Sequence, residues 1–320
     1  MKIWTNAEYP EGPMGALRDG VGSHDLVVAE DRVPILGAGG PSEGLSTAEV
    51  AFGQPDPAQL IASEHIRFVQ ITSAGYTRYD TQEFREAMQR RGVAFCNSSS
   101  VYADPCAQHL LAFMLSSARQ IPAAVRAQAA GEGWIFDSLR PVCRILRGER
   151  VLIVGYGAIG KRLVELLAPF GVDTIAIRRT VRGDEPVPCY PVERLEEFLP
   201  SAEHVVNILP ANEANTKLFD ASKFATMKKG AQFYNIGRGT TVDQEALIVA
   251  LESGQVGSAL LDVTDPEPLP KDHPLWAAPS CTITPHIGGG YAGEERVVVD
   301  GFLENLRRFE AGEPLKDRVY

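Results

Sequence analysis

Gly155-Tyr156-Gly157-Ala158-Ile159-Gly160 constrains this chain more than any other segment. It follows the apolar run Val151–Val154, which reads as a buried strand, and it opens a helical pattern over 158–169. A strand that turns on spaced glycines into a helix lets the backbone approach a pyrophosphate, and the helix N-terminus then meets the charge. The expectation is a parallel α/β sheet with a dinucleotide at the carboxyl ends of its strands. Gly155, Tyr156, Gly157, Ala158, Ile159 and Gly160 are the candidate contacts.

The remaining sequence supports such a sheet. Apolar runs at Thr174–Arg178, Val205–Leu209, Gln232–Asn235, Ala259–Val263 and Thr282–Thr284 alternate with helical patterns near 193–199, 221–229 and 242–253. Thr241 and Gln244 have the spacing of a capping box for the last of these, and Gly254 closes it. A second, smaller α/β unit precedes. Lys2–Trp4, Leu26–Ala29, Ile66–Ile71 and Val93–Cys96 read as strands, and Thr81–Arg91 as a helix stopped by Gly92. Tyr102–Arg119 is a long Ala- and Leu-rich helix, and 121–148 reads as irregular. Residues 293–311 form an amphipathic helix with Val297, Val298, Phe302, Leu306 and Phe309 as its stripe. At 320 residues, two domains are the prior.

Bulk properties exclude several classes of function. The net charge of −10 with no Lys/Arg block makes nucleic acid a poor partner. Any anion site must therefore be built from local cations or backbone N–H groups. No segment reaches the roughly 18 unbroken apolar residues of a membrane span. The N-terminus lacks a signal-peptide shape. Five scattered cysteines without a C-x-x-C pair fit a reducing cytoplasm, with neither a disulfide framework nor a metal site.

Three residues carry the chemistry. Arg238 lies in Asn-Ile-Gly-Arg-Gly (235–239), Glu267 in Asp-Pro-Glu-Pro-Leu (265–269) and His286 in Thr-Pro-His-Ile-Gly-Gly (284–289). Each follows a strand-like run at the point where Gly or Pro breaks it, which is the ligand edge of a parallel sheet. A fixed cation, a carboxylate and an imidazole gathered there can hold a substrate carboxylate and protonate a carbonyl. The other five histidines have no such setting and read as structural or surface residues.

The acid that binds an adenosine ribose should end the second strand, about 20 residues past the glycines. The sequence there is Arg178-Arg179-Thr180-Val181-Arg182, and the nearest acids, Asp173 and Asp184, lie before the strand and in the loop beyond it. Arginines and a hydroxyl favour a 2′-phosphate over a free 2′-hydroxyl. NADP(H) is thus expected over NAD(H), with Arg178, Arg179 and Thr180 at that end.

At this point the chain resembles the D-isomer-specific 2-hydroxyacid dehydrogenase family, most closely the glyoxylate/hydroxypyruvate reductase-like members. Five blocks carry the likeness, in order: Val-Gly-Tyr-Gly-Ala-Ile-Gly (154–160), Asn-Ile-Gly-Arg-Gly-Thr-Thr-Val-Asp-Gln-Glu-Ala-Leu (235–247), Leu-Asp-Val-Thr-Asp-Pro-Glu-Pro-Leu-Pro (261–270), Pro-Leu-Trp (274–276) and Ile-Thr-Pro-His-Ile-Gly-Gly (283–289). It implies two Rossmann-like domains of α/β class. A doubly wound, NAD(P)-binding parallel sheet (102–289) would be inserted in a flavodoxin-like substrate domain made of 1–101 and 290–320.

The resemblance also implies roles. Arg238 binds the substrate carboxylate and polarises the carbonyl, His286 protonates it, and Glu267 keeps His286 charged. Ala74, Gly75 and Tyr76 form the substrate loop. Leu209, Pro210, Ile236, Gly237, Asp262 and Gly288, with Arg238 and His286, line the cofactor. The implied reaction is reduction of a 2-keto acid to a D-2-hydroxy acid by a homodimer, with glyoxylate- or hydroxypyruvate-sized substrates first. Two rivals stay open: a non-enzymatic dinucleotide sensor or corepressor, and a relative that oxidises formate or phosphite. Trp134 has two readings, a satellite core or a neighbouring subunit's site. Thr77 and Gln108 depart from the residues the family often carries there.

Overall fold

In the computed structural model, which describes residues 1–320, the chain divides into two compact units. One comprises Met1–Tyr102 with Gly290–Tyr320, and the other Ala103–Gly289.

The first unit is a five-stranded parallel sheet. Its strands are β1 (Lys2–Ala7), β2 (Asp25–Val33), β3 (Val50–Gly53), β4 (Phe68–Ile71) and β5 (Ala94–Cys96), in the order β2-β1-β3-β4-β5. β3 pairs with β1 through Ile3 and Val50. The sequence reading has no strand at β3. On one face lie Trp4, Phe84, Phe95 and Tyr79. The helix Glu294–Ala311 supplies Phe302, whose ring stacks on Phe52 at 4.3 Å. The buried face of that helix is Val298, Val299, Phe302, Asn305 and Leu306, while Val297 turns outward. A stripe beginning at Val297 is therefore one residue out of phase at its start. Residues 318–320 run antiparallel to β5: Cys96 bridges Arg318, Val319 N–H donates to Phe95 O at 2.8 Å, and Tyr320 stacks on Phe95.

The second unit is a seven-stranded parallel sheet. It contains β6 (Arg150–Val154), β7 (Asp173–Ile177), β8 (Cys189–Tyr190), β9 (His204–Asn207), β10 (Ala231–Asn235), β11 (Val256–Leu261) and β12 (Cys281–Ile283), ordered β12-β11-β10-β9-β6-β7-β8. Residues Val151–Val154, β9 and β10 are buried throughout, as strands covered on both faces must be. β6 lies between β9 and β7, so the chain leaves it in one direction and later returns on its other side. A crevice at the carboxyl ends of two such strands is where an open α/β sheet binds its ligand.

Two local expectations need correction. Residues 121–148 are not irregular throughout: Ile121–Ala130 and Phe136–Leu139 are helical. Pro122 sits in the first turn, where its missing N–H costs nothing, and Gly131 ends the helix at φ +71°. The helix Gln244–Glu252 is capped by Asp243, which accepts from Ala246 N–H at 3.2 Å. Thr241 is not its cap. Its hydroxyl donates to Arg238 O at 2.7 Å and accepts from Asn207 Nδ2 at 2.7 Å.

Candidate active site

The glycine turn joins β6 to the helix Ala158–Leu167. Gly155 has φ +106°, and a Cβ there would meet Ile208 carbonyl atoms at 2.8 Å. A side chain is therefore excluded by backbone strain and by contact alike. Around Gly157 a Cβ would meet nothing within 4 Å. Gly157 is also the helix N-cap and offers no side-chain cap. A helix N-terminus with no side-chain cap, beside a glycine with open space at its Cβ position, is the arrangement that accepts a pyrophosphate.

Across the switch point the ends of β9 and β10 approach closely. A Cβ on Gly237 would lie 2.5 Å from Leu209 O. Ile236 is buried, whereas Pro210 is exposed. Asn207 and Asn235, register partners on the two strands, are buried and joined by a 3.1 Å hydrogen bond. Asn235 Oδ1 accepts from Gly237 N–H at 3.0 Å, and its Nδ2 donates to Arg238 O at 3.2 Å. The Arg238 backbone is thereby held by Asn235 and Thr241 together.

Arg238, Glu267 and His286 all belong to this second unit. Glu267 Oε2 lies 2.8 Å from His286 Nδ1, and its Oε1 accepts from Thr264 N–H at 2.9 Å. Burial alone would raise the Glu267 carboxyl. The His286 hydrogen bond, the Thr264 N–H and the charges of His286 and Arg238 outweigh it, and the group stays below the usual carboxylate range. Burial pulls Arg238 down from the ordinary arginine value, against the attraction of Glu267. Its Nη1 donates to Gly237 O at 2.6 Å. With Glu267 ionised, the Nδ1 proton of His286 fills their shared bond and Nε2 is left for other work.

Asp262 shapes the loop that carries His286. Its Oδ1 accepts from Thr284 Oγ1 at 2.6 Å and Ile287 N–H at 2.9 Å, and its Oδ2 from Gly288 N–H at 2.8 Å. Its carbonyl accepts from His286 N–H at 2.9 Å. His286 is held at φ +53°, a left-handed conformation uncommon for a residue with a side chain. His109 adds a contact to Thr284 Oγ1 at 3.1 Å, and burial first of all pushes its imidazole below the usual histidine value. Gly288 has no room for a Cβ, which would sit 2.7 Å from Asp262 Oδ2.

At the end of β7 the structure reveals an acid that the sequence reading overlooks. Glu185 lies against Arg178 at 2.9 Å, so the cationic loop holds its own counter-charge. Arg179, Thr180 and Arg182 are exposed. In the first unit, Ala74, Gly75 and Tyr76 form the turn after β4. Ser73 Oγ donates to Gly75 O at 2.7 Å and Asn97 Nδ2 to Ala74 O at 2.7 Å. Trp134 is 92% exposed, which rules out the satellite core.

Asn207, Asn235, Thr241 and Glu185 are the functional neighbours that sequence reasoning missed. The two asparagines had one available signal: each is a polar residue at the carboxyl end of a mainly apolar strand.

Comparison with known proteins supports a common origin for this arrangement. Residues 111–288 match the family model "D-isomer specific 2-hydroxyacid dehydrogenase, NAD binding domain". The glyoxylate reductase/hydroxypyruvate reductase of Mus musculus is 34% identical over 234 residues, covering 71% of this chain and 69% of its own. Glyoxylate/hydroxypyruvate reductase B of Klebsiella pneumoniae is 33% identical over 255 residues, 77% of each chain. Among solved structures, a D-isomer specific 2-hydroxyacid dehydrogenase from Xanthobacter autotrophicus Py2, in complex with NADPH and MES, superposes with a TM-score of 0.83. It is 29% identical and covers 100% of this chain and 98% of its own.

Proposed function

The chain belongs to the D-isomer specific 2-hydroxyacid dehydrogenase family and is an NAD(P)-dependent oxidoreductase; from that premise we propose that it reduces glyoxylate to glycolate and hydroxypyruvate to the D-2-hydroxy acid, preferring NADPH. The observation that carries the reading is the 2.8 Å Glu267–His286 pair, with Arg238 close enough to bias Glu267, on the sheet that bears the glycine turn.

The proposed roles are those the resemblance implies, and this geometry supports them. A reduced nicotinamide, when bound at this sheet edge, would supply the hydride that the carbonyl carbon needs. Arg238 pairs with the substrate carboxylate and draws electron density toward the carbonyl oxygen. Doubly protonated His286 gives its Nε2 proton to that oxygen, and the imidazole then recovers a proton from solvent. Glu267 holds Nδ1 and favours the charged imidazole. Asp262 keeps one lone pair of Oδ2 for an amide donor of the nicotinamide, beyond the three bonds it already accepts. Ala74, Gly75 and Tyr76 are the proposed substrate loop, with the backbone N–H groups of Gly75 and Tyr76 as donors to the carboxylate.

Leu209, Pro210, Ile236, Gly237 and Gly288 are proposed to line the cofactor. The exposed cations after β7 and the NADPH carried by the Xanthobacter relative support the preference for NADPH. A homodimer is proposed on a separate observation. Ile121, Val125, Trp134, Phe136, Val142 and Ile145 are all exposed, and all fall in one short stretch. Exposed apolar side chains concentrated in one stretch of chain support an interaction site there, and a second copy is its proposed partner.

Initial rates test the reading. Glyoxylate, hydroxypyruvate and phenylpyruvate are each supplied with NADPH and with NADH, and the chirality of the products from hydroxypyruvate and phenylpyruvate is determined. The two small acids with NADPH are expected to give the highest kcat/KM and, from hydroxypyruvate, a D-product. Absence of turnover on every keto acid, with dinucleotide binding intact, would replace the proposal with the sensor reading. Turnover of formate or phosphite alone would replace it with the other.

A further inference from the structure

The strand β7 ends at Ile177, and the next eight residues contain three arginines and two acids. These charges are not equivalent. Glu185 is nearly enclosed, its side chain 4% exposed, and Arg178 is 17% exposed. Glu185 Oε1 accepts from Arg178 Nη1 at 2.9 Å and from Arg182 N–H at 2.9 Å, and Oε2 accepts from Gly183 N–H at 2.8 Å. One carboxylate therefore closes the loop on itself and consumes one guanidinium. Its carboxyl is pushed down to about 2, chiefly by the Arg182 N–H, against desolvation and with help from the Gly183 N–H and Arg178. Arg178 is fixed from behind as well, because its N–H donates to Tyr190 O at 3.0 Å on β8.

The pair also adjoins the glycine turn. Tyr156 is buried with its hydroxyl unpartnered, and that phenol feels both the Glu185 carboxylate and the Arg178 guanidinium. The segment that would meet the pyrophosphate and the segment that would meet the adenosine ribose are thus linked beneath the surface.

We infer that Glu185 is a specificity-determining positioning residue: by neutralising Arg178 and pinning the backbone of 182–183, it presents Arg179 and Arg182 to the 2′-phosphate of the cofactor. The inference rests on the NADPH reading above. Arg178 becomes an anchor of the loop. A carboxylate after the second strand ordinarily accepts ribose hydroxyls and repels a 2′-phosphate. Here the acid faces inward, with three donors on it, and performs neither task. With Arg178 paired, the exposed charges are Arg179, Arg182 and Asp184, a net of +1 beside a ligand anion.

The test uses the full chain and four substitutions, with KM and kcat measured for NADPH and NADH on one keto acid. Arg179→Ala and Arg182→Ala are each expected to raise KM for NADPH about tenfold, the size of one lost charge-assisted hydrogen bond. Glu185→Ala is expected to raise it by about the same factor, with KM for NADH changed less than about twofold and saturated kcat nearly kept. In the Glu185→Ala background, Arg179→Ala should add little, because its guanidinium is no longer presented. Glu185→Gln keeps the side-chain volume and one acceptor, and is expected to move KM in the same direction by a smaller factor. It is also the variant to read if Glu185→Ala melts well below the wild type. An unmoved NADPH-to-NADH ratio in Glu185→Gln, or full additivity of Glu185→Ala with Arg179→Ala, would overturn the inference. A wild type that prefers NADH defeats the NADPH reading by itself, before any variant is made.

Discussion

At the residue scale, the Glu267–His286 contact makes the sharpest prediction. Glu267 lies below the usual carboxylate range, so it is ionised at neutral pH and its favourable interactions are fully present there. They are lost only as pH falls through that range toward the depressed folded value. Glu267→Gln removes the charge and keeps the shape. A glutamine cannot be protonated, so the acid-side fall-off of keto-acid reduction that follows protonation of Glu267 should be absent from the variant. The loss in kcat at neutral pH should lie within the roughly hundred- to ten-thousandfold contribution of a positioned acid. A pH–rate profile checks both, and an acid-side fall-off retained in the variant would separate the two residues functionally. The trio was legible in the sequence because Gly and Pro mark the strand ends on which it stands. Asn207, Asn235 and Thr241 were not, because their bonds depend on the register between β9 and β10. Glu185 escaped for a related reason: the loop must fold back before its carboxylate reaches Arg178.

At the scale of elements, close backbone approach governs the site more than side-chain packing does. A Cβ on Gly239 would fall 1.9 Å from Thr264 carbonyl atoms, and the loop after β10 cannot yield without moving Arg238. Gly239→Ala is therefore expected to destabilise the protein by more than about 2 kcal/mol, the range of strained or overpacked substitutions. It should also lower kcat/KM for the keto acid, because Arg238 and Thr264 would both be displaced. Thermal melting and steady-state rates measure the two effects. A variant with wild-type values in both would show that the loop can relax. The apolar runs disclosed nearly all of the second sheet, since a strand buried on both faces reads as a mainly apolar run. The helix Ile121–Ala130 was hidden because its outward positions are apolar, leaving no stripe to detect. Pro122 reads as a break only when its place in the first turn is unknown. At Gln244–Glu252, two N-cap candidates lie two residues apart, and the choice of Asp243 follows from Thr241 being engaged elsewhere.

At the scale of the whole molecule, the exposed apolar residues between Ile121 and Ile145 set an expectation for assembly. Sedimentation at micromolar concentration should give twice the mass of one chain, and Val125→Glu combined with Ile145→Glu should give the single mass. A monomeric wild type would leave that surface for another partner. The other unit contains a quieter feature with a practical consequence. Residues 318–320 lie along β5, so one border of the five-stranded sheet is already occupied. An unprotected strand border recruits other chains. Deleting residues 317–320 should increase light scattering as the protein refolds from denaturant. Residues 318–320 would then act as a built-in guard against edge-to-edge association.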